Sequence, residues 1–173
     1  MRWGAGHWGA GHVSGSGGRR DRDELGRARN ARPRDSLGRP LPYGSPGVTR
    51  VPDDLVLPPH ESLAEAQRLL DDDLPFHAHE ILEGSWKVAP EAERDLWQGL
   101  AQLAVGLTHV RRGNAPGAVT LLTRGRTRVE RYRESGAYGI DVAGLVAWAD
   151  DALLRLSADP PDLTISVPQL RSG

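Results

Sequence analysis

The stretch from Leu96 to Val110 narrows the choice of fold more than any other part of the chain. Leu96, Leu100, Leu103, Leu107 and Val110 recur every three or four positions, the spacing that lines up side chains on one face of an α-helix. Pro90 precedes the stripe, Glu91 and Glu93 sit where the positive end of the helix dipole would be, and Gly113 with Asn114 supplies a stop. A helix this long with one apolar stripe must be covered, and its neighbours also read as helices. Leu63, Ala66, Leu69 and Leu70 form a short stripe closed by Asp71 to Asp73. A second helix is expected from Pro75 to Lys87, because proline is tolerated in a first turn and Pro90 forces a break. Pro116 opens a fourth, with Ala118, Leu121, Leu122, Val129 and Tyr132 turned inward. Asp141 caps a fifth, carrying Val142, Leu145, Val146, Ala149, Leu153 and Leu156 on one face. Short connections make consecutive helices antiparallel, so residues 51–158 predict an all-α, compact bundle of about five helices.

The flanks read differently. Residues 1–50 begin with the tandem repeat WGAGHWGAGH and continue rich in Gly, Pro and Arg. Too little apolar surface is available there to offset ordering entropy, so a disordered tail is expected. Residues 159–173 are expected to be a C-terminal tail, since the strand-like LTISV stands alone among prolines. A formal net charge of -1 gives no basic excess for a polyanion, so nucleic acid is not indicated. The absence of cysteine removes disulfides and thiolate metal sites and leaves His, Asp and Glu as ligands. No apolar run approaches the roughly 18 residues of a membrane span, and no signal-peptide core opens the chain. A soluble, cytoplasmic protein is the expectation.

The chemistry concentrates in FHAHEILEGSW, residues 76–86. On a helical wheel Phe76, His79, Glu83 and Trp86 follow the three-four spacing of a buried stripe, while His77, Glu80 and Lys87 are expected to face solvent. A buried carboxylate and imidazole need partners, because stranding one typically costs about 3 to 5 kcal/mol. Counting back from the short loop before Pro90 brings Glu83 near Gln98 and His79 near Gln102. Asp95, Gln98, Gln102 and His109 share one edge of the third helix, bordered by Gly99 and Gly106, where a neighbouring helix could approach closely. His79 and Glu83, four residues apart, meet on one helical face like the two histidines of HExxH. Asp95 or His109 would be the additional ligand, with Gln98 and Gln102 better suited to orienting the others.

Through His79, Glu83 and Trp86 the stretch has the form HxxxExxW. With ERDLWQGLAQLAVGLTHVRRGN it resembles the domain-of-unknown-function family 309 of bacteria and archaea, over about residues 61–147 and including YGIDVAGL. The resemblance implies a small helical bundle and a functional, metal-binding role for the motif, and no activity is assigned to that family. A divalent ion of unknown identity, or a small ligand, held by His79 and Glu83 is therefore one reading. The alternative is a non-catalytic interaction module in which the His/Glu/Gln cluster is a buried structural network. GLTHVRRGNAPGAVTLLTRG resembles a single tetratricopeptide unit, and Arg124, Arg126, Arg128, Arg131 and Arg133 could face an acidic partner. Ser85 and Thr108 lack a base within reach, and no phosphate loop is present, so no catalytic residue is assigned.

Overall fold

The computed structural model describes residues 32–173. Within them α1 spans Pro59–Asp71, α2 Pro75–Val88, α3 Glu91–Arg111, α4 Ala115–Glu130 and α5 Val142–Leu156, with a single 3-10 turn at Ala137–Gly139 before α5. The described residues contain no strand. Each helix packs on the next in sequence, α1 on α2, α2 on α3, α3 on α4 and α4 on α5. This is the all-α antiparallel bundle that the periodicity predicts.

The long stripe of α3 forms the centre of the core. Leu96, Leu100, Leu103, Leu107 and Val110 are all buried, joined by Leu63 and Leu70 of α1, Leu82 of α2, Leu122 of α4 and Leu145 of α5. The glycines of α3 permit the closest helix crossing. A Cβ at Gly125 of α4 would stand 2.8 Å from the carbonyl oxygen of Gly99, and one at Gly106 would overlap Leu122. The two backbones therefore approach within a distance that only glycine allows. Capping follows the sequence signal at Asp141, and Asn114, expected only as part of the α3 stop, also caps α4. The side chains of Asn114 and Asp141 accept hydrogen bonds from Gly117 N and Gly144 N at 3.1 and 2.9 Å, which starts α4 and α5.

The packed unit extends beyond the expected 51–158 on both sides. Residues 32–57, expected largely as tail, form a strap laid along α2. Leu41 N donates to Pro33 O and Val48 N to Arg34 O, and Arg112, the C-cap residue of α3, donates from Nε to Leu37 O at 2.9 Å. At the other end Ile165 and Leu170 are buried. Arg111 Nη1 donates to Ile165 O at 2.9 Å, and Gln67 holds both Pro168 O and Leu170 N. The expected disorder of residues 1–31 lies outside the described residues.

Candidate functional site

Helix α2 carries the motif, and its buried face differs from the one read from the wheel. Ala78, Ile81, Leu82 and Ser85 are buried, and His77 is only 2% exposed. His79 and Glu83 instead lie on the flank, with side chains 17% and 34% exposed. The expectation that His77 and Glu80 face solvent is corrected for a physical reason. The strap covers that side of the helix, with Leu55 O so near Gly84 that a Cβ there would approach to 2.9 Å. Trp86 is partly buried and packs against the core.

On this flank His79 and Glu83 are brought together. His79 Nε2 lies 3.2 Å from Glu83 Oε2, and Nδ1 lies 2.7 Å from the carbonyl oxygen of Phe76, one helical turn earlier. A carbonyl only accepts, so Nδ1 carries a proton and the ring orientation is fixed. Lys87 Nζ reaches the other Glu83 oxygen at 2.9 Å. The hydrogen bond from His79, supplemented by Lys87, outweighs burial and pulls the Glu83 carboxyl down to about 2. The arrangement is an anchored imidazole, a carboxylate and a competing ammonium in successive helical turns.

The further residues expected to complete a metal site do not converge here. Asp95 is turned to the end of α4, where it accepts from Arg128 Nη1 at 2.5 Å and from Nη1 of Arg131, the C-cap residue, at 2.8 Å. The glycine edge beside it receives α4, so the carboxylate goes to those arginines. His109 meets the Asn114 side chain at 2.9 Å, at the turn between α3 and α4. Gln98 and Gln102 are partly buried, and Gln102 Oε1 is buried without a hydrogen-bond partner among the described residues. No group of three or more His, Asp or Glu side chains placed to hold a metal occurs among the described residues. Of the five arginines expected on the fourth helix to face a partner, four are paired within the fold, Arg126 with Asp150, Arg128 and Arg131 with Asp95, and Arg133 with Glu130, and Arg131 and Arg133 lie just past the end of α4.

Several polar contacts were not readable from the sequence. Ser85 Oγ donates to Ser62 Oγ at 2.7 Å across the α1–α2 interface, and Thr108 Oγ1 donates to Ala104 O within its own helix. Neither hydroxyl is poised as a nucleophile. Glu80 Oε2 and His77 Nδ1 are buried without a partner among the described residues. Burial raises the Glu80 carboxyl against the opposing pull of His79, Arg50 and Arg34. Phe76 lies under the guanidinium groups of Arg34 and Arg112, at 5.3 and 5.9 Å from its ring centroid. No signal in α2 alone reveals these contacts, because the covering segment is the Gly/Pro-rich strap.

Comparison with known proteins matches residues 63–121 to the family described as Domain of unknown function (DUF309). The similarity to this family is confined to residues 63–121. The matched segment runs from α1 through α3 into α4, and so contains HxxxExxW together with Asp95, Gln98, Gln102 and His109. The match ends before YGIDVAGL, so the resemblance read over residues 61–147 is shown for its larger part. The chain is also 50% identical over 48 residues to "Uncharacterized protein YpuF" of Bacillus subtilis (strain 168), covering 27% of this chain and 28% of that protein. The match thus spans less than a third of the length of this relative. No solved structure matches. No helix among the described residues is long and apolar enough to cross a membrane.

Proposed function

We propose that the DUF309 segment is a ligand-binding module whose polar seat is His79 with Glu83, and that the ligand class it suits is a divalent cation with open coordination positions. The observation that carries this reading is the 3.2 Å separation of His79 Nε2 and Glu83 Oε2. Two donors bound to one ion at roughly 2.0 to 2.2 Å each stand about 3 Å apart, so little rearrangement is needed to share it. Anchoring Nδ1 on a backbone carbonyl is the usual support for a metal-bound imidazole, and leaves the Nε2 lone pair for the ion. Two side chains do not fill a coordination sphere, so water or atoms of a further ligand would take the remaining positions and Lys87 would release Glu83. A cation held there would supply a positive anchor for an anionic or carbonyl-bearing molecule. Calorimetric titration of the chain with zinc, manganese and iron(II), beside a His79→Ala, Glu83→Ala variant, tests the reading. Binding by the native chain that is lost in the variant supports it. Unchanged binding in the variant would put the metal elsewhere, most simply on His7 and His12.

A second reading is supported by the Lys87 contact. Glu83 already has a cation on each oxygen side if His79 is protonated, so the three residues could serve as an ion-pair ladder on the surface of a helical interaction module. That reading predicts no heat on titration with any of the three metals.

A further inference from the structure

A cavity of about 700 Å³ lies between the strap and the first two helices, and neither His79 nor Glu83 lines it. Leu55 and Leu57 of the strap, Ala64 and Leu69 of α1, and Ile81 of α2 make its apolar walls. The imidazole of His77 completes the wall. That ring is 2% exposed, and its Nδ1 is buried with no hydrogen-bond partner among the described residues. A buried polar nitrogen left without a partner is costly, and native proteins seldom retain one without a reason. The charged groups at the mouth are different. Arg68 is paired with Glu65 at 2.6 Å and with Asp72 at 2.8 Å, Arg50 with Asp53 at 2.6 Å, and Glu61 is exposed to water.

The geometry points to a binding site for a small uncharged amphiphile, an apolar body the size of a short-chain alkylphenol, whose single hydroxyl hydrogen-bonds His77 between the strap and α1–α2. The volume falls in the range of small-molecule sites, which are mostly apolar with a few placed polar groups. A hydrocarbon would leave the imidazole unpaired. An ion would find its counter-charges already matched at the mouth, and an anion would also meet Glu61. A hydroxyl both donates and accepts, so it satisfies the nitrogen in either tautomer. This site is independent of the cation reading and stands or falls separately from it.

The test is a titration of the full chain with 4-ethylphenol, ethylbenzene and 4-ethylbenzoate, followed by backbone amide shifts. The expected result is saturable movement of Leu55, Ala64 and Ile81, with 4-ethylphenol about threefold to tenfold tighter than ethylbenzene, the worth of one neutral hydrogen bond, and 4-ethylbenzoate the weakest. His77→Phe should remove the preference for the phenol. Ala64→Trp, at an exposed position that the core does not use, should abolish binding of all three while the chain stays folded. Equal affinity for the phenol and the hydrocarbon, tighter binding of the benzoate, shifts elsewhere on the molecule, or undiminished binding by Ala64→Trp would each overturn the inference.

Discussion

Glu80 and Glu83 lie one turn apart on α2, and their surroundings act on them in opposite directions. His79 and Lys87 pull the Glu83 carboxyl from 4.5 down to about 2, so its contribution to stability is present above about pH 4.5 and fades as the pH falls toward 2. Burial raises Glu80 above 4.5, so its charged form is disfavoured in the folded chain at neutral pH and stability is regained as it takes up a proton. Glu83→Gln is expected to lower stability at pH 7 by about 0.5 to 1 kcal/mol, the scale of a half-exposed helix ion pair after solvent screening. Glu80→Gln is expected to be neutral or to raise stability at pH 7 by up to about 1 kcal/mol, with the gain gone once the native carboxyl is protonated. Urea melts of both variants at pH 7 and pH 3 check this. A loss in Glu80→Gln equal to that in Glu83→Gln would mean that the buried Oε2 has a hydrogen-bond partner in solution.

The contrast between α2 and α3 explains what was legible at the level of elements. In α3 five large aliphatics fall on one arc, and all of them are buried; α5 also begins at the cap that Asp141 predicts, while Asn114, read from the sequence only as a stop for α3, in addition caps α4. In α2 the few large residues, Phe76, Ile81, Leu82 and Trp86, spread around the wheel, so they fix its rotation poorly, and the strap covers a second side. The motif and its pairing of His79 with Glu83 could be read from the spacing of four. The turn of Asp95 toward Arg128 and Arg131 could not, because the glycine edge fits α2 and α4 equally well on paper. Gly38 holds the strap down. Its φ is +73°, and a Cβ there would lie 2.2 Å from the Phe76 ring, so Gly38→Ala meets both backbone strain and overlap. Hydrogen exchange at the amides of Leu41 and Val48 is expected to accelerate at least about tenfold in this variant, with α3 unaffected. Equal exchange in variant and native chain would show that the strap does not depend on this seat.

Among the described residues, consecutive helices pack in chain order, and residues 32–57 and 159–173 fold back onto them. Ending the chain at Ala158 would remove the burial of Ile165 and Leu170 and the anchors at Gln67 and Arg111. A loss of about 2 to 5 kcal/mol is expected from two large aliphatic side chains, read as a lower urea midpoint; an unchanged midpoint would make the segment passive. The proposed cation seat of His79 and Glu83 uses one of the six histidines in the chain. A single ¹⁵N spectrum of all the imidazole rings, recorded as zinc is added to one equivalent, tests it most directly. His79 Nε2 is expected to move first and by the shift of metal ligation, its Nδ1 is expected to keep its proton hydrogen-bonded to the Phe76 carbonyl, and Glu83→Gln is expected to weaken the response. Movement of His7 and His12 first, or a His79 ring that stays unchanged while zinc binds, would contradict it.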